Sequence, residues 1–200
     1  VLFRSVVLLV VVAVGVSGQE IFLSPFKNLP ALSRDKTANL AFSPDGGLIA
    51  SSGEKGEVII RNMETGQAVT RYSAGQRIPF LRFHPIQKRL ILVTEGGTIQ
   101  YLDGEQGIPS SPGSFSFKTK LVNMDPTGQY LLAMGTGSIE IFDTRANMNA
   151  GKILFKQEIK KPMFLGYDRF GQQVSVINES GQVFTWNLID QRLVRELRLQ

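Results

Sequence analysis

Short apolar stretches separated by tight-turn residues run through most of the chain and recur in a fixed order. The clearest unit is Asn39 to Gly66, NLAFSPDGGLIASSGEKGEVIIRNMETG, where three apolar stretches each end in a turn of Pro, Gly, Asp or Asn. The turn after the first stretch reads Ser43-Pro44-Asp45-Gly46, then His84-Pro85-Ile86-Gln87, Asp125-Pro126-Thr127-Gly128 and Asp168-Arg169-Phe170-Gly171. Its second residue falls at 44, 85, 126 and 169, in steps of 41, 41 and 43. A second landmark keeps the rhythm: Gly56, Gly97, Gly137 and Gly181 each open a third stretch, which Asn62, Asp103, Asp143 and Asn187 close. Two landmarks holding one period over four units identify a repeat architecture.

Each unit predicts four short strands. The first are Leu40 to Phe42, Phe80 to Phe83, Leu121 to Met124 and Phe164 to Tyr167. The second are Leu48 to Ser51, Leu90 to Val93, Tyr130 to Met134 and Val174 to Ile177. The third run Val58 to Ile60, Ile99 to Tyr101, Ile139 to Ile141 and Val183 to Thr185, followed by a bulky Arg61, Leu102, Phe142 or Trp186. The fourth are weaker, at Ala68 to Tyr72, Phe115 to Phe117, Ile153 to Phe155 and Leu193 to Leu197. Strands this short, with turn signals about every 8 to 12 residues, predict an all-β fold. Gly104 to Gly113, GEQGIPSSPG, reads as a long turn before the second unit's outer strand.

The segment FSPDGGLIASSGEKGEVIIRNMETGQ resembles a WD40 repeat, and the other three units resemble degenerate copies of it, from Ala38 to about Leu197. The Trp-Asp ending survives only as Trp186-Asn187, and the Gly-His dipeptide that usually precedes the first strand is absent. The hydrogen-bonded His/Ser/Trp/Asp arrangement of strong WD40 blades therefore cannot form, and quinoprotein-like and YVTN-like propellers are close alternatives. The resemblance implies a β-propeller with blades at 38–77, 78–118, 119–160 and 161–200. Four such blades are expected to form an open arc of a ring of about seven, the rest lying beyond Gln200. In the preceding segment, 19–37, Ile21 to Phe26 reads as a strand that would complete the last blade of that ring.

The amino terminus carries a different signal. Val6 to Val16 is an unbroken apolar run, followed by Val16-Ser17-Gly18 and the polar pair Gln19-Glu20. This is the pattern of a signal peptide, residues 1–18, cleaved after Gly18. Val1 to Ser5 reads as a sequencing scar within it. The run is shorter than the roughly 20 residues of a membrane span. An anchor missing its upstream half and a buried strand are the other readings. The expectation is an exported chain, periplasmic, secreted or at the cell surface, that touches a membrane only if the run is an uncleaved anchor.

Composition narrows the chemistry. With 42% hydrophobic and 20% charged residues the chain is an ordinary globular one. Its net charge of +5, or +4 without residues 1–18, is too small and too dispersed to predict a nucleic-acid partner. No cysteine is present, which excludes disulfides, thiolate metal sites and a cysteine nucleophile. The single histidine, His84, aligns with Ser43, Asp125 and Asp168, residues that cap turns, so it reads as a cap rather than a triad or zinc residue. Asn62, Asp103, Asp143 and Asn187 read as turn-satisfying side chains, and Glu54, Glu95 and Glu179 as solvated turn residues. Asn178-Glu179-Ser180 fits a glycosylation sequon within such a turn. No catalytic set, metal site or cofactor is predicted.

What remains is a charge pattern. Arg71 and Arg77 flank the first connection between units, Lys118 and Lys120 the second, Lys160 and Lys161 the third. In a propeller these connections share one face, and the six cations are the predicted partner-binding residues. The expected function is a non-enzymatic scaffold that docks a protein or peptide, acidic in character, on that face. The alternative is part of an enzyme. Further blades would complete a quinoprotein-like or lactonase-like site, or the arc would regulate a fused catalytic domain such as a caspase-like protease.

Overall fold

The computed structural model describes residues 6–7, 28–29, 36–103, 109–156 and 158–199. Two short strands, β1 (Val6–Val7) and β2 (Asn28–Leu29), pair antiparallel. The rest forms four four-stranded antiparallel sheets, each in chain order. The first holds β3 (Thr37–Phe42), β4 (Leu48–Gly53), β5 (Glu57–Asn62) and β6 (Ala68–Ser73). The second holds β7 (Phe80–Phe83), β8 (Arg89–Val93), β9 (Thr98–Asp103) and β10 (Pro109–Ser114). The third holds β11 (Leu121–Met124), β12 (Tyr130–Met134), β13 (Ser138–Asp143) and β14 (Met148–Leu154). The fourth holds β15 (Pro162–Tyr167), β16 (Gln173–Asn178), β17 (Gln182–Asn187) and β18 (Leu193–Arg198).

The first strands are innermost: β3 packs against β7, β7 against β11 and β11 against β15. Successive side chains of a strand point to opposite faces of its sheet, so an internal blade buries one set against the blade before it and the other against the blade after. Leu81 and Phe83 of β7 pack with Ala50, Val58 and Ile60 of the first blade. Phe80, between Ile78 and Leu81 in the chain, packs instead with Met124, Leu131 and Ala133 of the third. Leu132, Met134 and Ile139 meet Leu165, Val174, Val176, Phe184 and Trp186 across the last seam. With both faces covered, β8 and β12 are buried from their second residue onward, which is why they read as continuous apolar runs rather than alternating ones.

Polar groups lock the seams. The Asn39 side-chain amide donates to the carbonyl of Ile78 (2.7 Å), and that of Asn123 to the carbonyl of Leu165 (3.0 Å). The Arg89 guanidinium lies 4.0 Å above the Tyr101 ring and donates to the Thr144 carbonyl of the next blade (3.2 Å). Glu140 is buried, and burial pushes its carboxyl up. The Ser116 hydroxyl and N–H and the Lys152 ammonium more than offset this and hold it below the usual range.

The arc is open. At its ends Leu40 and Phe42 of β3, and Phe164 of β15, are 43 to 51% exposed, although their counterparts in internal blades lie in seams. Arg61 falls where Leu102, Phe142 and Trp186 fill the seam toward the preceding blade; it is buried as well and donates to the Gly66 carbonyl (3.2 Å).

The outer strands depart from the predicted bounds. In the second blade the strand is Pro109–Ser114, starting within the expected long turn and ending one residue past it, and not Phe115 to Phe117. Phe115 and Phe117 instead turn inward and pack with Phe142 in the seam. The strand is made of Pro, Ser and Gly because it passes directly over that ring: a Cβ on Gly113 would lie 2.7 Å from Phe142. In the third blade the strand starts earlier, at Met148. The predicted cleavage site and the strand predicted at Ile21 to Phe26 lie outside the described residues. Val6 and Val7, assigned to the signal peptide, pair with Leu29 and Asn28.

Candidate functional site

The sheets present two ends to solvent. One end carries the turns between first and second and between third and fourth strands. The other carries the turns between second and third strands and the connections from one blade to the next.

At the first end the singled-out polar side chains are engaged in turn geometry. Ser43 Oγ accepts from the Leu48 N–H (2.8 Å) and donates to Asp45 Oδ1 (2.5 Å). That hydroxyl, with the Gly47 N–H, holds the Asp45 carboxyl below its ordinary range. Asp125 accepts from the N–H groups of Thr127 (3.1 Å) and Tyr130 (2.7 Å), and Asp168 from those of Gln172 (2.7 Å) and Gln173 (2.9 Å). Asn62, Asp143 and Asn187 each accept from two N–H groups two and three residues on. The turn after Asp103 lies outside the described residues.

His84 is a cap, as its alignment predicts. Its Nδ1 accepts from the N–H groups of Ile86 (3.1 Å) and Gln87 (2.9 Å), so the proton of the neutral ring sits on Nε2. Nε2 is buried against Gly128 of the next blade, where a Cβ would lie 2.7 Å away. Burial lowers the His84 pKa, helped by the charges of Arg89 and Arg145 and opposed by Asp125. An unfolded histidine takes up its proton near pH 6.5 and the folded one only below that. Stability is therefore whole above that pH and falls as pH drops toward the folded value, by at most about 1.4 kcal/mol per pH unit. His84→Ser keeps a capping oxygen, as at Ser43. Its denaturant midpoint is expected to fall less than the parent's between pH 7.5 and pH 5.5, and parallel profiles would contradict this origin.

The second end repeats a different motif. In three blades the carbonyl of a basic residue just before the innermost strand accepts from the N–H of a glutamate in the second-to-third-strand turn. These bonds run from Glu54 to Lys36 (3.2 Å), Glu95 to Arg77 (2.8 Å) and Glu179 to Lys161 (3.0 Å). In the fourth blade the side chains also pair, Lys161 Nζ to Glu179 Oε2 at 2.6 Å. Lys118 holds the corresponding place in the third blade. There the turn is shorter by one residue, Gly135 N–H closing on the Ser138 carbonyl around Thr136 and Gly137, and it carries no carboxylate. Lys118 and Lys120 are exposed and have no ion-pair partner among the described residues.

The structure therefore sorts the six predicted cations. Arg77, Lys118, Lys120, Lys160 and Lys161 stand exposed on the connection face. Arg71 does not: it lies within β6, opposite Ile59, and its guanidinium is 3.9 Å from Glu57. Lys36 belongs with the set, and the 41-residue step from Arg77 was the signal that marked it. Among the described turns and connections of this face, eight Lys or Arg residues stand against four glutamates.

Residues 10–84 match the family described as the anaphase-promoting complex subunit 4 WD40 domain. No curated protein matches the chain. Among solved structures, Kuenenia stuttgartiensis hydrazine synthase is similar with a TM-score of 0.72 at 15% identity, over 88% of this chain and 57% of that one. The β-propeller domain of Myceliophteria thermophila Cps50 (Swd1) is similar with a TM-score of 0.68 at 15% identity, over 87% and 61%. The chain thus spans 57 to 61% of the length of these structures, and at such identity they establish the fold alone.

Proposed function

We propose that this WD40-like β-propeller arc is an interaction scaffold that docks an acidic protein or peptide segment on its connection face, centred on the third blade. The observation that carries the reading is the repeated cation at Lys36, Arg77, Lys118 and Lys161, whose carbonyl binds the backbone of a turn glutamate in three blades, whereas the turn beside Lys118 carries no carboxylate. Lys120 and Lys160 extend the positive field on either side. Exposed charges of this kind steer a partner of opposite sign and set its orientation. The apolar run Val6 to Val16 supports an exported scaffold. The pairing of Val6–Val7 with Asn28–Leu29, and a family match that starts at residue 10, favour the alternative reading of that run as a buried strand. The N-terminal mass of the chain recovered from an export-competent host separates the two. An enzymatic whole, of which this arc is one part, has the hydrazine synthase likeness behind it, and that likeness is one of fold.

A fluorescein-labelled peptide of alternating Asp and Ser tests the docking face. Binding by anisotropy is expected to weaken steeply between about 50 and 300 mM salt, as screening shortens the reach of exposed charges. Lys118→Glu with Lys120→Glu is expected to weaken it about tenfold, a change of about 1.4 kcal/mol shared by two exposed contacts. Arg71→Glu, on the outer strand, is expected to leave it unchanged. Equal losses from both variants would remove the third blade from the reading.

A further inference from the structure

A cavity of about 540 Å³ opens on the outer wall between the third and fourth blades, lined from the β14–β15 connection to the turn between β17 and β18. Its floor is aromatic: Trp186 stacks on Phe155 with ring centroids 5.2 Å apart and on Phe184 at 6.1 Å. Leu154 and Leu193, 71% and 44% exposed, form its lips. Its origin is visible by comparison with the preceding seam. There Phe115 and Phe117 both fill the wall beside Phe142. Here Trp186 takes the place of Phe142 and Phe155 that of Phe115, and the sequence has Gln157 where the preceding unit has Phe117, so the repeat supplies one aromatic residue where the neighbouring seam has two.

The charge of the cleft specifies an occupant. Lys156 lies where β14 runs into the blade connection, and Arg192 in the turn between β17 and β18. Both are exposed and neither has an ion-pair partner among the described residues. Glu196 is the one carboxylate in the lining. The volume falls within the range of about 300 to 1,000 Å³ typical of ligand sites, and an apolar floor with a few charged groups at the rim is the usual make-up of such a site.

We propose that this cleft is a second docking site, for an extended peptide segment that sets one apolar side chain on the Phe155 and Trp186 floor and flanking carboxylates against Lys156 and Arg192. The site uses none of Lys36, Arg77, Lys118, Lys120, Lys160 and Lys161 and stands whether or not those cations dock a partner.

Trp186 is the only tryptophan of the chain, so the site reports on itself. The 200-residue chain is titrated with three capped heptapeptides: a central Leu flanked by Asp and Glu, the same flanks around Ser, and the Leu flanked by Lys. The acidic Leu peptide is expected to bind and shift the Trp186 emission, and the other two to bind about tenfold more weakly, a difference of about 1.4 kcal/mol. Lys156→Glu with Arg192→Glu is expected to transfer the preference to the Lys-flanked peptide, a gain that misfolding cannot produce. Lys118→Glu with Lys120→Glu is expected to change nothing. Absence of an emission change with any peptide, or a preference that survives the reversal at Lys156 and Arg192, overturns the proposal. Loss of binding in the Lys118 and Lys120 variant alone would place the peptide on the connection face instead.

Discussion

Gly56→Ala is expected to destabilise the chain by about 3 kcal/mol, while Gly137→Ala, at the same landmark of the repeat, is expected to stay within about 0.5 kcal/mol of the parent. Gly56 has φ +84°, and a Cβ there would lie 2.1 Å from the Gln76 carbonyl oxygen and 2.9 Å from its carbon. Those atoms belong to the backbone of the connection between the first two blades, which has no side chain to swing aside. The Gly56 carbonyl also accepts the Ala74 N–H (2.9 Å), the bond that starts the connection. Alanine would thus bring left-handed strain of about 1 kcal/mol and displace a strand-to-connection bond worth about 1 to 2 kcal/mol. Gly97 repeats the arrangement, with φ +93° and a Cβ position 2.7 Å from the Phe117 carbonyl oxygen. Gly137 does not: no atom lies within 4 Å of its Cβ position and its φ is outside the left-handed range. Urea midpoints of the two alanine variants check the contrast, and equal midpoints would contradict it.

Phe80→Ala is expected to cost about 3 to 5 kcal/mol, the usual range for a phenylalanine truncated in a packed core. Phe164→Ala, the same position two blades on, is expected to cost under about 1 kcal/mol. Phe80 is 8% exposed and shares its row with Val93 and Ile99 against the third blade. Phe164 shares an equivalent row with Ile177, Val183 and Leu197, but it is 51% exposed because no blade among the described residues covers that face. Truncation therefore removes little buried area, and hydrophobic stabilisation follows the area taken from water. Thermal or urea unfolding of both variants separates a seam residue from its unpartnered counterpart. A large loss at Phe164 would show that the terminal face is covered in solution, by a second copy or by another segment.

Much of this was written in local chemistry. The period near 41, the Pro and Gly turns and the Asx caps are short-range features, and the four sheets and the capping role of His84 follow from them. Phe115 to Phe117 shows where local pattern misleads. An alternating Phe-Ser-Phe reads as a strand, yet both rings plug a seam, and the strand runs instead through the Pro and Ser residues that can pass over Phe142. The apolar preference of those rings was visible, but the neighbour they would bury against belonged to another repeat.

The candidate face divides the same way. That Arg77, Lys118, Lys120, Lys160 and Lys161 lie on connections, and that connections share an end, follows from the repeat alone. That Arg71, on the outer strand, lies beside Glu57, that the backbones of Glu54, Glu95 and Glu179 bind those of Lys36, Arg77 and Lys161, and that the turn beside Lys118 has no carboxylate in that place, required the register of the strands and the shorter turn at Thr136 and Gly137. Sequence determined the all-β repeat, its turns and the residues available at each end, because those depend on spacing and on the backbone preferences of Pro, Gly and Asx. Tertiary structure decided which cations remain unpaired, which glycines are obligatory and which aromatic rings line an open cleft, because each depends on what a neighbouring blade places across a few ångströms.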